Sequence, residues 1–189
     1  MIRIGILGDI GSGKTYVANN FGYPVFNADH EVSKLYKKDK KTFNKLKKIL
    51  PKYFISFPIK KSQVSKAILA NRNNLRKIVK IVHLEIRKKM NIFIKKNKNK
   101  KIIILDIPLL LENKINKKND VLIFVKSKRS EILKRLKNRE SFNKKLFNEF
   151  KNIQLPLDYK KKKSTFIIKN NFKKKSVRKD IKNILKNFR

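Results

Sequence analysis

The clearest pattern along this chain is the continuous apolar run Lys101 to Ile107 (KIIILDI), which predicts a strand covered on both faces, as in a parallel sheet. Four shorter segments read as further strands: Arg3 to Leu7, Tyr23 to Asn27, Val121 to Val125 and Thr165 to Ile168. Between them the apolar period changes to that of helices. Phe43, Leu46, Ile49 and Leu50 place a helix over Lys40 to Leu50, stopped by Pro51. Gln63 to Ala70 fits a short helix. Leu75, Ile78, Val79, Val82, Ile86, Met90, Phe93 and Ile94 form one stripe on a longer helix from about Asn73 to Lys96. Further helices are predicted for Thr15 to Phe21, from near His30, after Ser127 or Ser130 as cap, over Phe142 to Ile153, and over Ser176 to Phe188. Five strands alternating with helices give an α/β fold: one domain, 1–189, with three layers, a parallel sheet and right-handed crossovers. A helical insertion at about 40–97 separates the second and third strands and is a natural place to bind a second substrate. The segment 128–156 reads as a small helical lid.

Glycine usage points to the first functional element. The chain has five glycines, at 5, 8, 11, 13 and 22, and three fall in Gly8-Asp9-Ile10-Gly11-Ser12-Gly13-Lys14-Thr15. This stretch fits G-x-x-x-x-G-K-[ST] and lies between a predicted strand and a predicted helix, the context a P-loop requires. Its backbone N–H groups and the helix N-terminus attract phosphate. Lys14 then reaches the β/γ-phosphates and Thr15 holds Mg²⁺ through its hydroxyl.

The two acidic residues at strand ends are the next candidates. Asp29 follows the second strand; it is either the N-cap of the following helix or a carboxylate facing the ligand crevice. Asp106 ends the Lys101 to Ile107 strand; it either coordinates or orients Mg²⁺, or is satisfied by nearby backbone N–H groups. His83 sits beside the stripe of the long helix, where a structural and a chemical role are both open. Arg135 and Arg139, one turn apart, could clamp phosphate oxygens from a mobile lid.

Charge changes the picture less than its size suggests. Lys and Arg total 52 against 13 Asp and Glu, a formal net charge of +39. Such a charge suits nucleic acid or an anionic surface. Only nine of the 52 are arginine, however, and the abundance of Lys, Asn, Ile and Phe matches A/T-rich codon usage. The runs Lys95 to Lys101 and Lys160 to Lys163 read as solvated loops. There is no cysteine, hence no disulfide or thiolate metal site. No apolar run spans a bilayer and no signal-peptide core is seen, so a cytoplasmic protein without a membrane partner is expected.

Taken together, these pieces resemble the dephospho-CoA kinase family over nearly the whole chain. The matching segments are Ile4 to Thr15, Pro24 to Asp29 (PVFNAD) with His30-Glu31-Val32, Val82-His83, Leu105 to Glu112 (LDIPLLLE), Leu133 to Arg139, and Gln154-Leu155-Pro156. The resemblance implies a P-loop kinase fold and transfer of the γ-phosphate of ATP to the ribose 3′-hydroxyl of dephospho-CoA, with Mg²⁺. It implies a catalytic set of Asp29, Lys14 and Arg139. ATP binding falls to Gly8 through Thr15, Tyr16, Arg135 and Asn170, and substrate binding to Asp29, His83, Arg87, Pro108 and Leu109. Metal binding falls to Thr15 and Asp106. A monomer with no specific nucleic-acid partner is expected. The chain departs from the family pattern at Asn27, Leu84 and Thr165 to Asn171. Another small P-loop kinase, or a nucleic-acid-binding ATPase using the lysines, are the alternative readings.

Overall fold

The computed structural model describes residues 1–138 and 142–188, and these form two compact units. The first comprises Met1–Asn27, Asn97–Phe142 and Gln154–Arg189; the second comprises Ala28–Lys96 and Asn143–Ile153.

The first unit is built on a five-stranded sheet in the order β2-β3-β1-β4-β5. Its strands are β1 (Ile2–Gly8), β2 (Val25–Asn27), β3 (Ile102–Asp106), β4 (Val121–Lys126) and β5 (Phe166–Lys169), all paired in parallel. Every residue of β3 is buried, which is why its sequence is continuously apolar rather than alternating. β1 lies at the centre, and its register places Gly8 opposite Val125 of β4. One sheet face carries Ile4, Ile6, Ile102, Ile104, Ile123 and Val125 against α1 (Lys14–Asn19) and α9 (Lys174–Lys186), through Val17, Ala18, Val177, Ile181 and Ile184. On the other face Leu110 approaches so closely that a Cβ on Gly5 would lie 2.5 Å from its Cδ2. The helix α8 (Leu157–Lys162) also packs against β1, completing three layers.

The second unit is helical: α2 (Ala28–Lys38), α3 (Lys40–Ile49), α4 (Lys61–Ala70), α5 (Arg72–Lys96) and α7 (Lys144–Asn152). The stripe predicted for α5 is its buried face, through Leu75, Ile78, Val82, Ile86 and Met90. α2, α3 and α4 pack on it, and α7 packs on α4. Asp39 caps α3 by accepting from Thr42 N–H at 3.1 Å, and Asn143 caps α7 by accepting from Leu146 N–H at 2.9 Å.

Three sequence expectations are revised. α2 begins at Ala28, so Asp29 lies inside its first turn and is not its N-cap. The helix α6 (Arg129–Lys137) has Lys128 at its N-cap position with no side-chain cap, because Ser127 donates its hydroxyl proton to Ser12 O at 2.9 Å and Ser130 lies within the helix. Lys160 to Lys163 is not a solvated loop. Its first residue belongs to α8 and is 1% exposed.

Candidate active site

The P-loop connects β1 to α1 as the motif requires. Gly13 occupies the N-cap position of α1 with φ 88°, a left-handed conformation open to glycine. A Cβ there would also lie 2.3 Å from Asn170 Nδ2. That amide is 2% exposed and donates to Ser12 O at 2.8 Å, while Asn170 Oδ1 accepts from Phe172 N–H at 2.9 Å. With Ser127, two donors from the ends of β4 and β5 therefore hold the Ser12 carbonyl and fix the loop backbone. The apolar face of α6 supports the loop from another side. Ile132 and Leu136 would meet a Cβ on Gly11 at 3.1 and 3.2 Å.

Lys14 Nζ donates to Asp9 O at 2.7 Å and Gly8 O at 3.3 Å. The ammonium is thus held against the loop by two backbone carbonyls. Asp9 Oδ1 accepts from Ile10 N–H at 2.7 Å and tightens the first turn.

At the C-terminal edge of the sheet, the ends of β2 and β3 and the first turn of α1 converge on one cluster. Thr15 Oγ1 donates to Asp106 Oδ2 at 2.6 Å, and Asn27 Nδ2 donates to the same oxygen at 2.7 Å. Asn27 lies opposite Asp106 in the β2–β3 register, which explains why a residue at the end of β2 reaches this carboxylate. Asp106 is 3% exposed. Donating its proton to Asp106 turns the lone pairs of the Thr15 hydroxyl away from that carboxylate. Thr15 and Asp106 together offer hard oxygen donors, the chemistry that suits Mg²⁺. No group of three or more His, Cys, Asp or Glu poised for a metal occurs among the described residues.

The remaining predicted residues are placed as follows. Arg135 stacks its guanidinium 4.3 Å from the ring centroid of Phe172, whose Cε1 would meet a Cβ on Gly13 at 3.3 Å. Arg135 and the loop are thus near neighbours, linked by Phe172. Tyr16 turns its ring to the core rather than outward. Arg139 lies outside the described residues. Pro108 and Leu109 follow β3 and are half-buried, with Leu109 O accepting from Asn113 Nδ2 at 2.8 Å. In the helical unit, Asp29 is exposed on α2. His83 is half-buried on α5, and Arg87 is exposed one turn further on.

Two segments far apart in sequence also meet. Glu112 Oε1 accepts from Leu155 N–H at 3.0 Å and lies 2.6 Å from Lys160 Nζ, which donates in turn to Gln154 Oε1 at 3.1 Å. Sequence reasoning missed Lys160, since nothing separates it from its neighbours in a lysine run. It also missed Asn27 as a partner of Asp106, though its place at a strand end was a usable signal.

A phosphate-binding loop after the central strand, with a hydroxyl and a carboxylate behind it on a five-stranded parallel sheet, defines a P-loop kinase. TT1252 from Thermus thermophilus superposes with a TM-score of 0.76 at 23% identity, over 98% of this chain and 97% of that one. A dephospho-CoA kinase from Campylobacter jejuni superposes with a TM-score of 0.61 at 20% identity, over 98% and 96%. The sequence model of CoaE, dephospho-CoA kinase, matches residues 2–176. A dephospho-CoA kinase of Wolbachia pipientis wMel is 34% identical over 187 residues, covering 96% of this chain and 95% of that protein. This chain belongs to the dephospho-CoA kinase family.

Proposed function

We propose that this enzyme transfers the γ-phosphoryl group of ATP to the ribose 3′-hydroxyl of dephospho-CoA, giving CoA and ADP, the last step of CoA biosynthesis. The observation that carries the reading is the junction of loop and strand ends, where Thr15 and Asn27 both donate to Asp106. Such a junction serves nucleotide phosphate and its cation, and family membership supplies the acceptor.

Phosphoryl transfer asks the protein mainly to position its reactants and neutralise charge. The backbone N–H groups of residues 8–15 bind the phosphates, and Lys14 moves from the loop carbonyls to the β/γ oxygens. Thr15 and Asp106 would hold Mg²⁺, which would offset negative charge on the phosphate oxygens. Asn27 and Thr15 orient the Asp106 carboxylate from two sides. Asn170 acts on the loop backbone through Ser12 O and so positions the phosphate site from behind. Arg135 brings positive charge from α6, and Arg139, four positions on in the sequence, acts with it on the phosphate oxygens.

Asp29 accepts the proton of the 3′-hydroxyl or orients it. It follows Asn27 by two residues, so chain connectivity alone keeps its Cα within about 7 Å of the Asn27 Cα. His83 and Arg87, on α5, serve the acceptor, with Pro108 and Leu109 after β3. The working form is a cytoplasmic monomer. No helix among the described residues is long and apolar enough to cross a membrane.

A coupled ADP-release assay across dephospho-CoA, a set of nucleoside monophosphates and RNA tests the proposal. Turnover with dephospho-CoA above all others is the expected result. Preference for a monophosphate would reassign the acceptor, and stimulation by RNA would favour an ATPase role for the lysines.

A further inference from the structure

Among the described residues, two that are not glycine take a positive φ, Lys114 at 50° and Phe172 at 62°. The left-handed conformation crowds Cβ, and a bulky side chain there is an outlier. Asparagine tolerates it better, and Asn170 and Asn171 stand directly before Phe172. Scarcity of glycine therefore does not explain why an aromatic ring takes this position. The turn from β5 to α9 is pinned on both sides of the ring. Asn170 Oδ1 accepts from Phe172 N–H at 2.9 Å, while Asn170 Nδ2 donates to Ser12 O. Asn171 Oδ1 accepts from Lys173 N–H at 3.0 Å and from Ser176 Oγ at 2.6 Å. The surroundings thus hold the strained backbone in place, the condition under which such strain persists at functional sites.

What the ring touches gives the strain a use. Its edge lies against the phosphate loop, where Cε1 would meet a Cβ on Gly13 at 3.3 Å. Over its face lies the Arg135 guanidinium, with Cζ 4.3 Å from the ring centroid. Arg135 is exposed on α6, between Ile132 and Leu136, which rest against Gly11 of the same loop. An exposed arginine samples many rotamers in water and loses that freedom when it binds a ligand. Stacked on a π face, it is already ordered, because the ring quadrupole attracts the cation. We infer that Phe172 is a positioning residue for nucleotide binding: its ring holds the Arg135 guanidinium beside the phosphate loop, so that the positive charge is in place before the triphosphate arrives. The inference rests on the proposed role of Arg135 in binding ATP and goes beyond it by naming the residue through which that role is exerted.

The test sets stability against affinity. Phe172→Gly removes the ring and relieves the backbone, so Tm should hold within a few degrees as the relieved strain offsets the lost contacts. The Kd for ATP and the Kd for inorganic tripolyphosphate, both measured by calorimetry, should each rise about two- to fivefold, the usual size of one cation–π contact. Phe172→Leu keeps bulk and strain but lacks the π face, and should weaken both ligands to a similar extent. A double-mutant cycle with Arg135→Ala assigns the cause. In that background Phe172→Gly should add no more than about 1.5-fold, since the two side chains act as one unit. An unchanged Kd in Phe172→Gly or Phe172→Leu overturns the inference. So does a loss that persists in full without Arg135, and so does a loss confined to ATP, which would place the ring against the base. A parent-like Kd in Arg135→Ala overturns it together with the proposed role of Arg135. An unaltered protein that binds neither ligand would instead reject the proposed function.

Discussion

Lys160 Nζ lies 2.6 Å from Glu112 Oε1, and the two side chains are only 1% and 8% exposed. They join α8 to the turn after β3, and Glu112 also accepts from Leu155 N–H. Removing one partner of a buried pair leaves a charge stranded, at a cost of about 3–5 kcal/mol. Glu112→Ala should therefore lower Tm by on the order of 10 °C. Lys160→Met/Glu112→Leu should recover much of this, because an apolar pair of similar volume can replace buried ions. Recovery should stop short by about 1–3 kcal/mol, since Leu155 N–H loses its acceptor. Thermal melts of the single and double variants measure both effects.

Lys14→Ala removes the ammonium now held over the loop by Asp9 O and Gly8 O. Its loss acts on phosphate rather than on the core, so turnover should fall by about 10²–10³-fold or more while Tm stays within a few degrees. Steady-state assays alongside melts check this. Near-normal turnover would exclude the loop as the catalytic site.

Asn27→Asp places a second carboxylate where the amide now donates to Asp106 at 2.7 Å. Without metal the two acids repel, and the variant should melt earlier than the parent. Mg²⁺ should restore the loss. Mn²⁺ binding in the presence of ATP, read by electron paramagnetic resonance, should tighten by roughly tenfold, since affinity follows the charge of the ligand set. Asp106→Asn should do the opposite. Weaker binding in Asn27→Asp would show that Asn27 does not face the cation.

Asp29→Asn keeps side-chain size and removes the carboxylate proposed to accept the proton. Because Asp29 lies in the first turn of α2 rather than at its cap, the variant forfeits a helix-dipole contribution of about 0.3–1 kcal/mol rather than a cap. The loss of kcat with dephospho-CoA should be about 10²–10⁴-fold. A variant that melts early yet turns over normally would remove Asp29 from the mechanism.

Gly13→Ala combines an unfavourable backbone, at φ 88°, with a Cβ 2.3 Å from Asn170 Nδ2. The loop must shift to accommodate it, so ATP affinity should fall at least tenfold, as measured by calorimetry. Unchanged affinity would mean that the Asn170–Ser12 hydrogen bond does not set the loop.

The strands, most of the helices and the glycine loop were readable along the chain, because each rests on local information. A buried parallel strand must be apolar throughout, an amphipathic helix must repeat its apolar positions every three to four residues, and a phosphate nest needs glycine at fixed spacing. Local pattern for that reason places Lys14 and Thr15 on the loop and Asp106 at the end of β3. Relations between distant positions depend instead on how the elements pack. Sheet order β2-β3-β1-β4-β5 brings Asn27 and Asp106 side by side across 79 residues. The ends of β4 and β5 bring Ser127 and Asn170 to one carbonyl of the loop. Lys160 stood in a run of four lysines, and only the packing of α8 on β1 selects it for burial, since burying a charge requires a partner that sequence spacing does not reveal. The start of α2 at Ala28 was missed for a similar reason: Asp serves both as a cap and as a first-turn residue, and the three-dimensional course of β2 into α2 chooses between them.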